Sequence, residues 1–267
     1  MVYGVTPMAF LWRPTFMPKP EFKGSKTLSI QAAVGPGDAA LQEPLDQTLE
    51  RWREEAAVLV REGAYDWLAS RIPGQRILEI GCGFGASTAA LKNAGKNVFA
   101  LDNRMDCLET TRDKVDGLML GLADVRYYDE RLLADLNEFA PDAVVCWMAG
   151  APADDLPRDV PPTYATMQHR LDLQRAVVAL ASRLPTAHTL HLADRTAFPW
   201  KMKDAGRQTW FRMLQAAVIP GSAFTLDEKD IVFRKLTLGQ PIPGSSALAG
   251  VVPVLGEASF KRGHNAD

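Results

Sequence analysis

The sequence predicts an α/β domain, doubly wound around a mostly parallel seven-stranded sheet that ends in an antiparallel C-terminal hairpin. Short apolar runs alternate with amphipathic stretches of helical length between residues 76 and 218. A glycine-rich turn, Gly81-Cys82-Gly83-Phe84-Gly85, joins the first run to the helix after it. The last two runs are separated only by Asp227-Glu228-Lys229-Asp230, whereas a parallel return needs a crossover of about a dozen residues.

The elements follow in order. Over 48–71, Leu49, Trp52, Ala56, Leu59 and Val60 share one helical face, and Pro73-Gly74 ends the run. Strands are expected at 76–80, 97–101, 118–127, 143–147, 189–192, 224–226 and 231–236. The intervening helices fall at 85–93, 105–115, 130–139, 163–184 and 200–218. Residues 1–45 read as an extended arm, because six prolines interrupt it while Phe10, Trp12, Phe16 and Phe22 are too apolar for a solvated linker. The folded domain is expected over 46–238, and the Gly-, Pro- and Ser-rich segment 239–267 as a loose tail.

Composition excludes several classes. With 267 residues, 47% of them hydrophobic and 23% charged, the chain is neither disordered nor fibrous. Thirty basic residues against 32 acidic ones create no global field for a polyanion, so nucleic acid could engage only a local patch. No apolar run approaches the ~18–20 residues of a membrane helix. The apolar start lacks a preceding basic residue and is broken by Pro7, against a signal peptide. Cys82, Cys107 and Cys146 are odd in number and form no CxxC pair, so neither a disulfide framework nor a metal site is expected. The expectation is a soluble, cytoplasmic protein.

The glycine turn permits tight backbone curvature and close approach of N–H groups to a ligand. Asp102, about 20 residues on at a strand end, is placed to accept from ribose hydroxyls, and Asn103 follows it. Asp124, flanked by Ala123 and Val125 after the third strand, is placed to accept from an adenine amino group. Glu79 stands two residues before the first glycine. Gly81, Gly83 and Ala86 also fit the glycine pattern of a nicotinamide-dependent dehydrogenase, but no P-loop occurs.

Glu79-Ile80-Gly81-Cys82-Gly83-Phe84-Gly85, Leu101-Asp102-Asn103, Leu122-Ala123-Asp124-Val125 and the closing hairpin together resemble the class I S-adenosylmethionine (SAM)-dependent methyltransferases, over roughly residues 48–237. The resemblance implies a Rossmann-like fold and SAM as cofactor. It places Glu79 and the loop Gly81–Gly85 under the methionine part, Asp102 at the ribose and Asp124, with Ala123 and Val125, at the adenine. Cys146 and Trp147 would border the reactive methyl. The acidic Glu79, the Ala-Asp-Val turn and the hairpin weigh against the dehydrogenase reading.

The acceptor is expected to be a small molecule, with catalytic residues past the fourth and fifth strands: Asp155, Tyr164 and His169 are the candidates. The strand-end pattern of amino-directed DNA methyltransferases is missing, since Cys146-Trp147-Met148-Ala149-Gly150 stands there. Lys201, Lys203, Arg207 and Arg212, interleaved with Trp200, Trp210 and Phe211, form the local patch on which a nucleic-acid acceptor would depend. A SAM-binding protein without catalysis is the remaining alternative.

Overall fold

The computed structural model describes residues 44–152, 156, 161–237 and 250–263. Nearly all of the expected arm over 1–45, and Asp155 with it, lie outside the described residues.

The first helical run is two helices, α1 (Leu45–Arg61) and α2 (Ala64–Ser70), because Gly63 adopts φ +61° between them. Then come β1 (Arg76–Ile80), α3 (Ala86–Asn93), β2 (Asn97–Asp102), α4 (Met105–Lys114) and β3 (Met119–Leu122). The third strand is shorter than expected: Asp124 accepts from the Arg126 N–H and turns the chain into a short 3-10 helix, Val125–Tyr127. α5 (Glu130–Phe139), capped by Asp129, β4 (Ala143–Trp147) and α6 (Pro162–Ser182) complete the middle of the chain. β5 (Thr189–Pro199) runs well past its expected end at 192, and α7 (Lys203–Ala217) follows.

The C-terminal part differs from expectation in one respect that governs the sheet. β6 (Phe224–Thr225) and β7 (Ile231–Lys235) do not pair with each other. Both pair antiparallel with β8 (Val251–Arg262), a strand inside the segment expected as a loose tail. Its composition carries the alternation Val252, Val254, Ala258, Phe260, but Pro253 and Gly256 obscure it. Strand order is β3-β2-β1-β4-β5-β8-β6, with β7 also on β8. β6 and β7 meet opposite ends of the same strand edge, so eight strands occupy seven positions, and the antiparallel hairpin is β7–β8. The remaining pairs, β3 through β5, are parallel.

α1 to α4 cover one face of the sheet, through Leu59, Leu68, Leu91 and Leu108. α5 to α7 cover the other, through Leu136, Val177, Leu180 and Leu214. β4 is buried on both sides, which is why its sequence is continuously apolar. Among the described residues no helix is long and apolar enough to cross a membrane.

One polar network interrupts the apolar face. Glu257 of β8 has no exposed surface; one oxygen lies 2.8 Å from Nδ1 of buried His191 on β5, and the other accepts from Nε of Arg71 after α2. His191 Nε2 lies 3.5 Å from Ser259 Oγ. Removing one partner of a buried charged set strands the others, at about 3–5 kcal/mol. Glu257→Ala should therefore lower the unfolding free energy by about that amount in urea titration. A loss near zero would mean that the network contributes no net stability.

Candidate functional site

The strand order reverses between β1 and β4, so their loops diverge and leave a cleft at the carboxyl edge of the sheet. The cleft has a volume of about 290 Å³, and most residues read as nucleotide contacts line it: Gly81, Cys82, Gly83, Asp102, Asn103, Ala123, Asp124, Val125 and Trp147. Gly85, Glu79 and Cys146 are buried and are not part of that lining.

Two glycines of the loop do different work. A Cβ on Gly81 would come within 2.9 Å of the Ala149 Cβ, and its φ is +78°, so the first glycine lets the loop pass the end of β4. Gly83, at φ +52°, has nothing within 4 Å of a built Cβ and faces open space. From α4, Thr111 Oγ1 donates to the Gly83 carbonyl at 3.1 Å and Lys114 Nζ to the Phe84 carbonyl at 3.0 Å, which pins the loop from behind.

Asp102 is 8% exposed at the end of β2. One oxygen accepts from the Gly83 N–H at 2.9 Å and the other from the Arg104 N–H at 3.0 Å. A carboxylate oxygen accepts two hydrogen bonds, so each retains capacity toward the cleft. Burial raises its pKa to about 6, against those two N–H donors. Glu79 is buried beneath the loop; Thr88 Oγ1 donates to one oxygen at 2.6 Å, and the other has no partner among the described residues. Burial pushes Glu79 up to about 7, with the Ser87 and Thr88 hydroxyls opposing and the Asp102 charge adding to the rise. Burial likewise pushes the Cys82 thiol up, and Cys146 to about 12, so both are inert buried thiols.

Asp124 is clamped. Arg126 meets it through Nε at 2.9 Å and Nη2 at 2.5 Å as well as through its N–H. Burial alone would raise the carboxyl, but Arg126 outweighs it and holds Asp124 below its ordinary range. Arg126 Nη1 lies 3.2 Å from Nδ1 of His169 on α6, so His169 lines the cleft on the Asp124 side. Tyr164 is half exposed and is not part of the lining. In the basic-aromatic patch, Trp210 stacks on Phe233 with centroids 6.0 Å apart, and Trp210 and Phe211 pack against the core. Trp200 lies against Lys203 and Lys235.

Residues that the sequence reading left out of its site complete the cleft. α1 roofs it with Arg51, Trp52 and Glu55, and α2 adds Tyr65. Arg195, on the overlong part of β5, reaches Glu55 at 2.6 Å and ties that roof to the sheet. Charged positions on an amphipathic helix look like a solvated face in sequence, and only the β5 extension reveals what Glu55 meets. Met148, directly after β4, holds φ +53° and donates its N–H to the Ala193 carbonyl at 2.7 Å.

Both raised carboxyls leave a signature on stability. A carboxyl whose folded pKa lies above its unfolded value contributes most when protonated, and loses that contribution as pH rises through the folded value. For Asp102 and Glu79 the loss runs up to about 6 and about 7. Asp124, and Asp142 before β4, whose burial is outweighed by the Arg76 and Gln75 N–H groups it accepts from, lie below the ordinary carboxylate range and lose their contribution only as pH falls through it. The ligand-free protein should therefore become less stable between about pH 4 and about pH 7, by roughly 3 kcal/mol from Glu79 alone. Glu79→Gln should flatten the curve in pH-dependent urea unfolding; an unchanged slope would refute the assignment.

No protein-family model and no curated protein matches the chain. Solved structures similar to it include the magnesium protoporphyrin IX methyltransferase of Synechocystis PCC 6803 with bound SAM, at 14% identity and TM-score 0.42 over 83% of this chain and 86% of that one. A TehB-like SAM-dependent methyltransferase of Corynebacterium glutamicum matches at 16% identity and TM-score 0.45, over 82% and 97%. The plantazolicin methyltransferase BpumL, in complex with S-adenosylhomocysteine (SAH), matches at 10% and 0.45, over 85% and 94%. At such identities the likeness is one of fold.

Proposed function

We propose that the protein is a SAM-dependent methyltransferase acting on a small molecule held beneath α1. The observation that carries this reading is Asp102: a nearly buried carboxylate at the strand-order reversal, bonded to the glycine loop and still able to accept from two ribose hydroxyls. The reversed β8 between β5 and the sheet edge favours this reading over a dehydrogenase built from parallel repeats.

The donor set suits the cofactor. Glu79 offers a buried, unpartnered oxygen beneath the glycine loop, the complement of an ammonium group. Asp102 would hold the ribose. Ala123 and Val125 would cover the adenine, with Asp124 sharing its carboxylate between the amino group and Arg126. Once bound, SAM supplies an activated methyl on its sulfonium. The chain's part is to hold the nucleophile in line and accept its proton. Trp147 and the Met148–Gly150 turn would border that position, with His169 and Asp155 as the candidates for proton transfer. The roof over a cleft of about 290 Å³ favours a small acceptor over a polynucleotide. A cytoplasmic setting accords with the free, buried Cys82, Cys107 and Cys146.

Calorimetric titration tests the cofactor. SAH should bind and NAD should not, and Asp102→Ala should weaken SAH at least ~10-fold, equivalent to about 1.4 kcal/mol. NAD binding without SAH binding would overturn the reading.

A further inference from the structure

Arg195 stands on the part of β5 that overruns the sheet edge, opposite Leu255 of β8, with its side chain lining the cleft. Among the described residues its guanidinium makes one hydrogen bond, Nη2 to Glu55 Oε2 at 2.6 Å. Among the described residues Nε and Nη1 have no acceptor. Glu55 takes Arg51 on its other oxygen at 3.2 Å, so a single carboxylate stands between two guanidiniums. The result is an oriented fork with one edge unused, the geometry that binds a carboxylate through two parallel N–H bonds.

Two further donors line the same cleft. Trp147 is 5% exposed, and its indole N–H is buried with no acceptor among the described residues. Tyr65 is 9% exposed with no hydrogen-bond partner among the described residues, and burial keeps its phenol neutral, against the pull of Arg195. The buried Trp147 N–H, left unmade, costs free energy that a ligand acceptor would recover, and the Tyr65 hydroxyl adds a second donor to the same cleft. Trp52 of the roof and Trp147 supply flat apolar surface beside these donors.

We infer that the methyl acceptor is a small aromatic carboxylate, its carboxylate on the free edge of Arg195 and its ring between the tryptophans. Glu55 is the positioning residue that aims the guanidinium. This rests on the methyltransferase reading, which supplies the neighbouring cofactor.

The experiment uses the full chain saturated with SAH and titrated by calorimetry with benzoate, 4-hydroxybenzoate and 3,4-dihydroxybenzoate, each paired with its carboxamide. At least one carboxylate should bind ~10-fold or more tightly than its amide. Arg195→Gln should abolish that preference and Arg195→Lys restore part of it, both with SAH affinity within about twofold of the unaltered protein. Equal binding of acid and amide, or no binding of any acid, overturns the inference. A large loss of SAH affinity in Arg195→Gln also overturns it, because Arg195 would then serve the cofactor, or the tie between α1 and the sheet, rather than the acceptor. Failure of the unaltered protein to bind SAH is read before any acid is added; it removes the methyltransferase reading and this inference together.

Discussion

The pairing of β8 with β5 is the constraint on which the site depends. It runs over the whole length of β5, from Thr189 against Lys261 to Pro199 against Val251, and carries β5 beyond the edge where the parallel strands stop. A parallel strand of ordinary length would end near Ala193, opposite Trp147. The antiparallel partner holds the additional residues extended, Arg195 among them. Glu257, on the same strand, joins β5 through His191 to α2 through Arg71, so the sheet and the helices above it are aligned by one buried carboxylate. The cost of burying that charge is met by two partners rather than one, consistent with a role in fixing geometry.

β7 extends the same logic to the roof. Arg234 donates to the carbonyls of Glu62 and Gly63, at the break between α1 and α2, and Thr237 bonds the Glu62 side chain. Gly63 has left the helical conformation there, and its carbonyl accepts from the Trp67 N–H at 3.1 Å as well as from the guanidinium. The angle at which α1 crosses the cleft is therefore set from both sides: by Arg234 at its C-terminal end and by Arg195 through Glu55 nearer its middle.

Much of this was legible in the residues. The strand–helix alternation and the glycine turn with Asp102 follow from period and spacing, which are local properties; an antiparallel close was legible too, but was expected between 224–226 and 231–236, whereas both of those strands pair with β8. What escaped was non-local. β8 contains Pro253 and Gly256, which read as breakers; in the sheet Gly256 is required, since a Cβ there would lie 2.7 Å from the Trp210 ring and 2.9 Å from that of Phe233. The break at Gly63 hid within an uninterrupted helical period, because a single left-handed residue reorients a helix without changing the spacing of its apolar positions. Glu55 and Arg195 are 140 residues apart, and neither the amphipathic pattern of α1 nor the expected end of β5 indicated that they meet.

The charges in the cleft divide it into two chemically distinct halves. On the β1–β2 side, Glu79 and Asp102 are buried acids whose ionised forms are poorly stabilised by the protein, with Glu79 retaining an unused oxygen. Such a site gains most from a ligand bringing hydroxyl or ammonium donors, since those groups stabilise the form that burial disfavours. On the side of α1 and β5 the buried group unmet among the described residues is a donor, the Trp147 N–H, and two more donors line the cleft with it, the Tyr65 hydroxyl and the outer edge of Arg195. That side gains from a ligand bringing acceptors. In the function proposed above, SAM would bring its hydroxyl and ammonium donors to the first side and the methyl acceptor would bring its acceptors to the second, so that each ligand complements the groups nearest to it.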